Sequence, residues 1–233
     1  RASQIELPNY YAEDSNSVLC IPLDPEKSPV ENAQSYYAKY NKLKRARQVL
    51  TEQLSLCHNE LKYLESIACA LELTASQADI AEIREELINE GYIQSGKKRR
   101  PTLSRPQLLT ATAPDGFKII IGKNNRQNDY VTFKKAQADD IWLHVKDSPG
   151  SHVILQTGGA EPSAAALLAA AQLAAYFSKA RNSSNVPVDY TRRRYVKKPA
   201  GAKPGFVIYE KQHTIFVTPD PAIINRLLDN SGT

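Results

Sequence analysis

From Pro29 onward, apolar side chains recur in alternating steps of three and four. Ala33, Tyr36, Tyr40, Leu43, Arg47, Leu50, Leu54, Cys57, Leu61, Leu64, Ala68 and Leu71 occupy those steps, and only Arg47 is neither apolar nor tyrosine. Such spacing is the seam of a coiled coil, whose core positions repeat every 3.5 residues. Pro29 suits a first helical turn, with Ser28 as N-cap and Glu31 as a favourable early charge. At roughly 1.5 Å per residue, a helix to Leu71 makes a rod about 65 Å long. A second helix, expected over Gln77–Glu90 with Ile80, Ile83 and Leu87 on one face and Gly91 just past its end, spans only about 20 Å. The seam therefore calls for a further helix, from upstream sequence in preference to a second copy of the chain.

Short alternating stretches at Gln4–Leu7 and Val18–Ile21, broken by Pro8, Asn16, Pro22 and Pro25, read as strands at the trailing edge of an upstream domain. Lys97-Lys98-Arg99-Arg100-Pro101, with Pro106 and Pro114, reads as a basic tether. The expected organisation is a trailing edge over 1–28, a coiled-coil arm over 29–96 and a linker over 97–115. A second domain over 116–222 and a tail over 223–233 complete it.

In the second domain the pattern changes to period two. Phe117–Ile121 reads as a strand closed by Gly122, followed by Lys123–Asn128 and a short helix through Phe133. A strand, a glycine and a basic helix start resemble a phosphate cradle. Asp139–Leu155 alternates twice around Lys146-Asp147-Ser148-Pro149-Gly150-Ser151, which predicts a β-hairpin with a type II turn at Pro149-Gly150. Facing residue numbers would then sum to 299, placing His152 opposite Asp147 and His144 opposite Leu155 on the other face. An alanine-rich helix is expected from Ser163 to Arg181, close-packed on the sheet. Phe206–Tyr209 and Thr214–Val217 read as closing strands, ended by Pro219 and Pro221. The fold class is α+β: a long coiled-coil helical arm, then a mixed β-sheet domain backed by the alanine-rich helix.

Charge sharpens this picture. Residues 1–100 carry 13 Lys and Arg against 15 Asp and Glu, a balance of −2, whereas residues 101–233 carry 17 against 10, a balance of +7. The basic excess sits in the second half, where it attracts a polyanion. At 42% hydrophobic and 24% charged residues the chain is globular, and no apolar run is long enough for a membrane span. The chain starts Arg1-Ala2-Ser3 and contains no methionine, which suggests an excised or processed end. Cys20, Cys57 and Cys69 form no paired motif and read as buried, reduced thiols of a cytoplasmic protein.

Two chemistries compete for the second domain. His152 with Asp147 could act as a base held by a carboxylate, the arrangement of a hydrolase or phosphoesterase. Neighbours on one hairpin rarely make such a site, no nucleophile elbow supports it, and no metal set completes His144 and His152. The stronger signal is the stretch from Tyr190 to Tyr209, with six Lys and Arg and no acid. There Tyr190 and Tyr195 flank three arginines, and Pro199, Gly201, Pro204 and Gly205 hold an extended loop. Cations for phosphate and flat rings for stacking lie side by side.

These runs carry a family resemblance. GKNNRQND-x-VTFKKA, DDIWLHVKDSPGSHVIL, LAAAQLAAYFSKAR and VPVDYTRRRYVKKPAGAKPGFVIY together resemble the RNA-binding domain of the NFACT family. NAQSYYAKYNKLKRA and EIREELINEGYI are similar to that family's coiled-coil middle region. The likeness covers nearly all of residues 20–219. The family's N-terminal domain, with its helix-hairpin-helix segment and first coiled-coil helix, has no counterpart here, which accounts for the unpartnered seam.

The resemblance implies a ribosome quality-control factor of bacterial type that binds large ribosomal subunits, ribosomal RNA and tRNA. It further implies recruitment of alanyl-tRNA for template-free C-terminal tailing. It implies RNA contacts at Lys123, Arg126, Lys146, Arg192, Arg193, Arg194, Lys197, Lys198 and Lys203, with Asn125, Asn128, His144 and His152 as polar candidates. No catalytic residue, cofactor or metal follows from it, since the ribosome would make the peptide bonds, and no membrane is expected. Coiled-coil self-association stays open, as does a fibronectin-binding adhesin, the activity that an older name in the family implies.

Overall fold

Ser28 and Glu31 open the first long helix with a reciprocal pair of bonds. The Glu31 amide donates to Ser28 Oγ at 3.3 Å, and the Ser28 amide donates to Glu31 Oε2 at 2.7 Å, the capping box that serine three residues before glutamate allows. The computed structural model describes residues 2–12, 17–74, 76–94 and 107–229. The first part of the expected linker over 97–115, residues 97–106, lies outside them. The chain divides into two compact units, Arg1–Asn59 and Glu60–Thr233.

In the first unit, the two expected strands, β1 (Gln4–Pro8) and β2 (Val18–Pro22), pair with each other antiparallel. Helix α1 (Pro29–Glu72) follows, 44 residues without a break. Its start is fixed by buried Asn32, whose Nδ2 donates to Asp24 O at 3.0 Å while its Oδ1 accepts from the Asp24 amide at 2.8 Å. Along the predicted seam, Tyr36, Tyr40, Leu43, Leu50 and Leu54 are 41–70% exposed, and among the described residues no helix covers them. The helix is there; the coiled coil is not shown. Cys20 and Cys57 are exposed, contrary to the expectation of three buried thiols, because their stretches meet no second layer. Cys69 is buried, which pushes its thiol up to about 11.

In the second unit, the last turns of α1 pack through Tyr63, Ile67 and Ala70 on Ile83 of α2 (Gln77–Asn89). This face is offset from the seam, since Leu61, Leu64 and Leu71 stay exposed. Ser76 caps α2, and Gly91 follows it at φ +84°, as a helix end of this type requires.

The sheet is built from β3 (Leu109–Thr112), β4 (Lys118–Ile121), β5 (Ile141–Val145), β6 (Val153–Gln156), β7 (Val186–Arg192) and, after the separate ribbon β8 (Val196–Lys197) with β9 (Ile208–Tyr209), β10 (His213–Val217). Its order is β10-β7-β5-β6-β4-β3, and every pairing is antiparallel. The expected mixed sheet is corrected here. A helical crossover could have set β7 parallel beside β6, but β7 skips it and pairs with β5. Residues 109–112, read from sequence as linker, supply the β3 edge.

Strand alternation buries both faces. Ile119, Ile121, Leu143, Val145, Val153, Leu155 and Val188 face helix α4, while Ile120, Trp142 and Ile154 meet Val131 and Val196 on the other side. That second layer comes from α3 (Asn125–Tyr130), a π-turn at Val131–Lys135 and the β8–β9 ribbon. Helix α4 (Ala164–Tyr176) starts where expected, with Ser163 as its N-cap, and its alanines allow the close approach. It stops before the predicted Arg181 because residues 177–179 turn to bond the β5–β6 loop. The tail expected over 223–233 is instead helical through its described part. Pro221 opens α5 (Pro221–Asp229), which buries Ile224 and Leu227.

Candidate nucleic-acid interface

After Val145 the chain leaves the β5–β6 ladder instead of turning at Pro149-Gly150. The Lys146 amide donates to Pro187 O at 2.9 Å, and Asp147 takes φ +52°. The Ser151 amide donates to Phe177 O at 2.8 Å, and the Lys179 amide to Pro149 O at 2.9 Å. The loop is thus wide and tied to the end of α4. Ile141 faces Leu155, Trp142 faces Ile154 and Leu143 faces Val153, so facing numbers sum to 296 rather than 299. An odd shift exchanges faces, so His144 and His152 lie on one face with ring centroids 5.2 Å apart.

This register removes the His152–Asp147 dyad. His152 Nδ1 lies 2.9 Å from Thr132 Oγ1, its amide donates to Asn128 Oδ1 at 2.9 Å, and the residue is 2% exposed. His144 stacks on Trp142 at 5.8 Å between centroids. Burial lowers the pKa of His144 to about 4 and that of His152 well below the ordinary value. Both imidazoles are therefore neutral at pH 7, and neither presents positive charge to phosphate. Among the described residues no three ligand-type side chains converge on a metal site.

The lowered imidazole pKa values make acid destabilising. Between the folded values and 6.5, the unfolded chain binds protons that the folded chain refuses. The stability they contribute is whole above pH 6.5 and is lost as pH falls toward about 4. Urea unfolding followed by Trp142, the one tryptophan in the sequence, should show a lower midpoint at pH 5 than at pH 7. His144→Gln should flatten that dependence.

The cluster at the start of α3 faces inward. Lys123 pairs with Asp79, and Asn124 Nδ2 donates to Glu82 Oε2 at 2.8 Å. Asn125 Nδ2 donates to Glu86 Oε1 at 3.0 Å and Ser66 Oγ at 2.8 Å, and Arg126 Nη1 reaches Glu85 Oε2 at 2.5 Å. The acidic face of α2 thus occupies the groups that read as a phosphate cradle. Asn128 is also internal, bridging the His152 amide and Gly150 O. Two glycines let this region close. A Cβ on Gly122 would meet the Asn128 amide nitrogen at 2.7 Å, and one on Gly205 would meet Asn125 Oδ1 at 2.6 Å.

The basic stretch is less of a loop than its composition suggested. Arg192 belongs to β7 opposite Ile141, and Arg193–Tyr195 form a single 3₁₀ turn. Arg192 pairs with Glu161, and Arg193 Nε donates to Thr132 O at 2.8 Å with its guanidinium over Phe133. Arg194 pairs with Asp139, and Lys198 with Asp129. Lys203 Nζ lies beside the stacked Tyr63 and Tyr92 rings, 4.8 and 4.7 Å from their centroids, and near Glu60 and Glu90. Arg193 and Lys203 are therefore structural. The Arg194 side chain is 46% exposed beside a comparably exposed carboxylate, a pairing weak enough for phosphate to replace. Lys146 and Lys197 are exposed, with no ion pair among the described residues.

The same unit carries further exposed cations that the sequence reading passed over. Lys134 and Lys135 end the π-turn, and Lys211 lies 4.6 Å above the Tyr195 ring. The signal was visible in VTFKKA, where two lysines close a helical turn.

Known proteins match this arrangement. The model for the NFACT N-terminal and middle domains matches residues 1–105, and that for the NFACT protein RNA binding domain matches residues 108–211. A Bacillus subtilis protein named Rqc2 homolog RqcH is 49% identical over 228 residues, 96% of this chain and 39% of its own length. A Streptococcus pneumoniae protein of the same name is 44% identical over 218 residues, 93% of this chain and 38% of its own. This chain thus spans about two fifths of the relatives it matches. The solved C-terminal part of the fibronectin/fibrinogen-binding protein from Streptococcus suis superposes with a TM-score of 0.79 at 44% identity. That match covers 85% of this chain and 80% of the other.

Proposed function

This chain belongs to the NFACT family, and from that premise we propose that it is part of a cytoplasmic ribosome quality-control factor whose basic unit grips RNA on the large subunit. The observation that carries this reading is the set of exposed cations at Lys134, Lys135, Lys146, Arg194, Lys197 and Lys211, within a half of the chain with a balance of +7. The full protein would bind subunits that retain a stalled peptidyl-tRNA and bring alanyl-tRNA for template-free tailing. The ribosome makes the bonds, so this chain needs binding groups and no catalytic ones.

Cosedimentation of the full-length protein with purified large subunits tests this. The protein should pellet with subunits carrying peptidyl-tRNA and be released by added salt, since contacts to phosphate displace counterions. Equal recovery with and without subunits would defeat the proposal. Fibronectin or fibrinogen binding, which the name of the Streptococcus suis protein ascribes to that protein, is the second reading. Retention on immobilised fibronectin at physiological salt, with no retention on ribosomes, would favour it.

A further inference from the structure

Among the described residues from 107 to 229, four large apolar side chains are exposed, and three fall within one short stretch. Phe206 is 46% exposed, Ile208 49% and Phe216 58%, with Leu168 the fourth, elsewhere. On β9, Tyr209 packs on the Trp142 cluster, so Ile208 points outward; just before the strand, Val207 packs on the same cluster and Phe206 is left exposed. On β10, Ile215 and Val217 face the α4 core, which sends Phe216 to the other side of an edge strand.

Cations interleave with these side chains. Lys197 faces Ile208 directly across the β8–β9 ladder, and Lys211 covers Tyr195 a few residues before Phe216. From Tyr190 to Val217 the chain carries seven Lys and Arg and one carboxylate, Glu210. The centre of a protein–protein interface is depleted in charge, so cation-studded rings fit a protein partner or a second copy poorly. A flexible polyanion that carries flat, unpaired ring systems fits them well.

We propose that the outward face of β8–β9 with Phe216 is a stacking platform for unpaired nucleotides, so that this unit prefers single-stranded RNA to duplex. The inference rests on the RNA-binding reading above and narrows it. A duplex keeps its bases stacked on one another and offers ring faces only at its ends, whereas a single strand offers one at every nucleotide. Lys197 and Lys211 would hold the phosphates while Phe206 and Phe216 take the bases.

The test uses the full-length protein and three labelled probes of equal length: a single-stranded RNA, a duplex RNA and an abasic ribose-phosphate strand. Phe206→Ala and Phe216→Ala should each weaken single-strand binding by roughly 5- to 150-fold, the range for one lost base stack. Their salt slope and their abasic-strand affinity should stay unchanged, and Phe206→Tyr and Phe216→Tyr should retain binding. Lys197→Ala should flatten the slope by about 0.7 on single strands. Ring variants that bind single strands like the parent, or that lose equal affinity for the abasic strand, would overturn the platform. Tight duplex binding without single-strand binding would overturn it while leaving the RNA reading intact; failure on all three probes would remove both. Loss of self-association in the ring variants, seen by sedimentation with RNA affinity unchanged, would assign the patch to a second copy instead.

Discussion

Glu86→Ala should lower the unfolding free energy of the second unit by about 2–4 kcal/mol, measured by urea denaturation at pH 7. The Glu86 carboxyl is 1% exposed, and its Oε1 accepts from the Tyr63 hydroxyl and from Asn125 Nδ2, both at 3.0 Å. Truncation leaves the buried hydroxyl without an acceptor and Asn125 with Ser66 alone. Glu86→Gln keeps the accepting oxygen and should cost far less.

The two variants also separate opposing pH effects. Burial raises the Glu86 pKa above its ordinary 4.5. Above pH 4.5 the folded chain therefore holds a proton that the unfolded chain has released. This group's contribution is greatest below pH 4.5 and declines as pH climbs through the folded value. The histidine pair works in the other sense, losing stability as pH falls. Glu86→Gln should thus make acid destabilisation steeper than in the parent. An unchanged profile would show that Glu86 titrates at its ordinary value in the folded chain.

Replacing Lys134, Lys135, Arg194 and Lys197 together by alanine should reduce RNA affinity on the order of 10²–10³-fold at 0.15 M salt. Each lost phosphate contact removes about 0.7 from the log–log salt slope on single strands and about 0.9 on duplex. These four side chains are exposed, and none is a structural anchor, so stability should change little. Lys123→Ala with Arg126→Ala gives the contrasting result. Their cationic groups meet Asp79 and Glu85 of the neighbouring helix α2, so that pair should lose stability and keep its salt slope. If the inner pair flattened the slope and the outer four did not, the assignment of faces would be reversed.

Much of the architecture was legible because its causes are local. Ser28 and Glu31 lie three residues apart, and the Ser163 cap and the alanines after it lie within one helix. The hairpin strands alternate openly around Trp142. What was not legible depended on distant partners. The register looked settled by Pro149-Gly150, yet the loop is held by Phe177, Lys179 and Pro187, which no short-range turn rule consults. Lys123, Asn125 and Arg126 matched a phosphate cradle until helix α2, some forty residues earlier, supplied the carboxylates. Arg192 looked like loop by composition, but pairing with Ile141 makes it strand. Helix α5 was read as tail because Pro219 and Pro221 looked like the end of the sheet, yet Pro221 is its first residue and Ile223, Ile224, Leu227 and Leu228 make a helical apolar stripe.

Helix α5 has a consequence for how the unit is made. Ile224 and Leu227 share a core with Ala111 and Ala113, in and just after the first strand of the sheet. Translation delivers the β3 end first and the helix that seals it last. A nascent chain stopped near residue 220 would therefore leave an oily flank uncovered, the kind of surface that draws chaperones and other unfinished polypeptides.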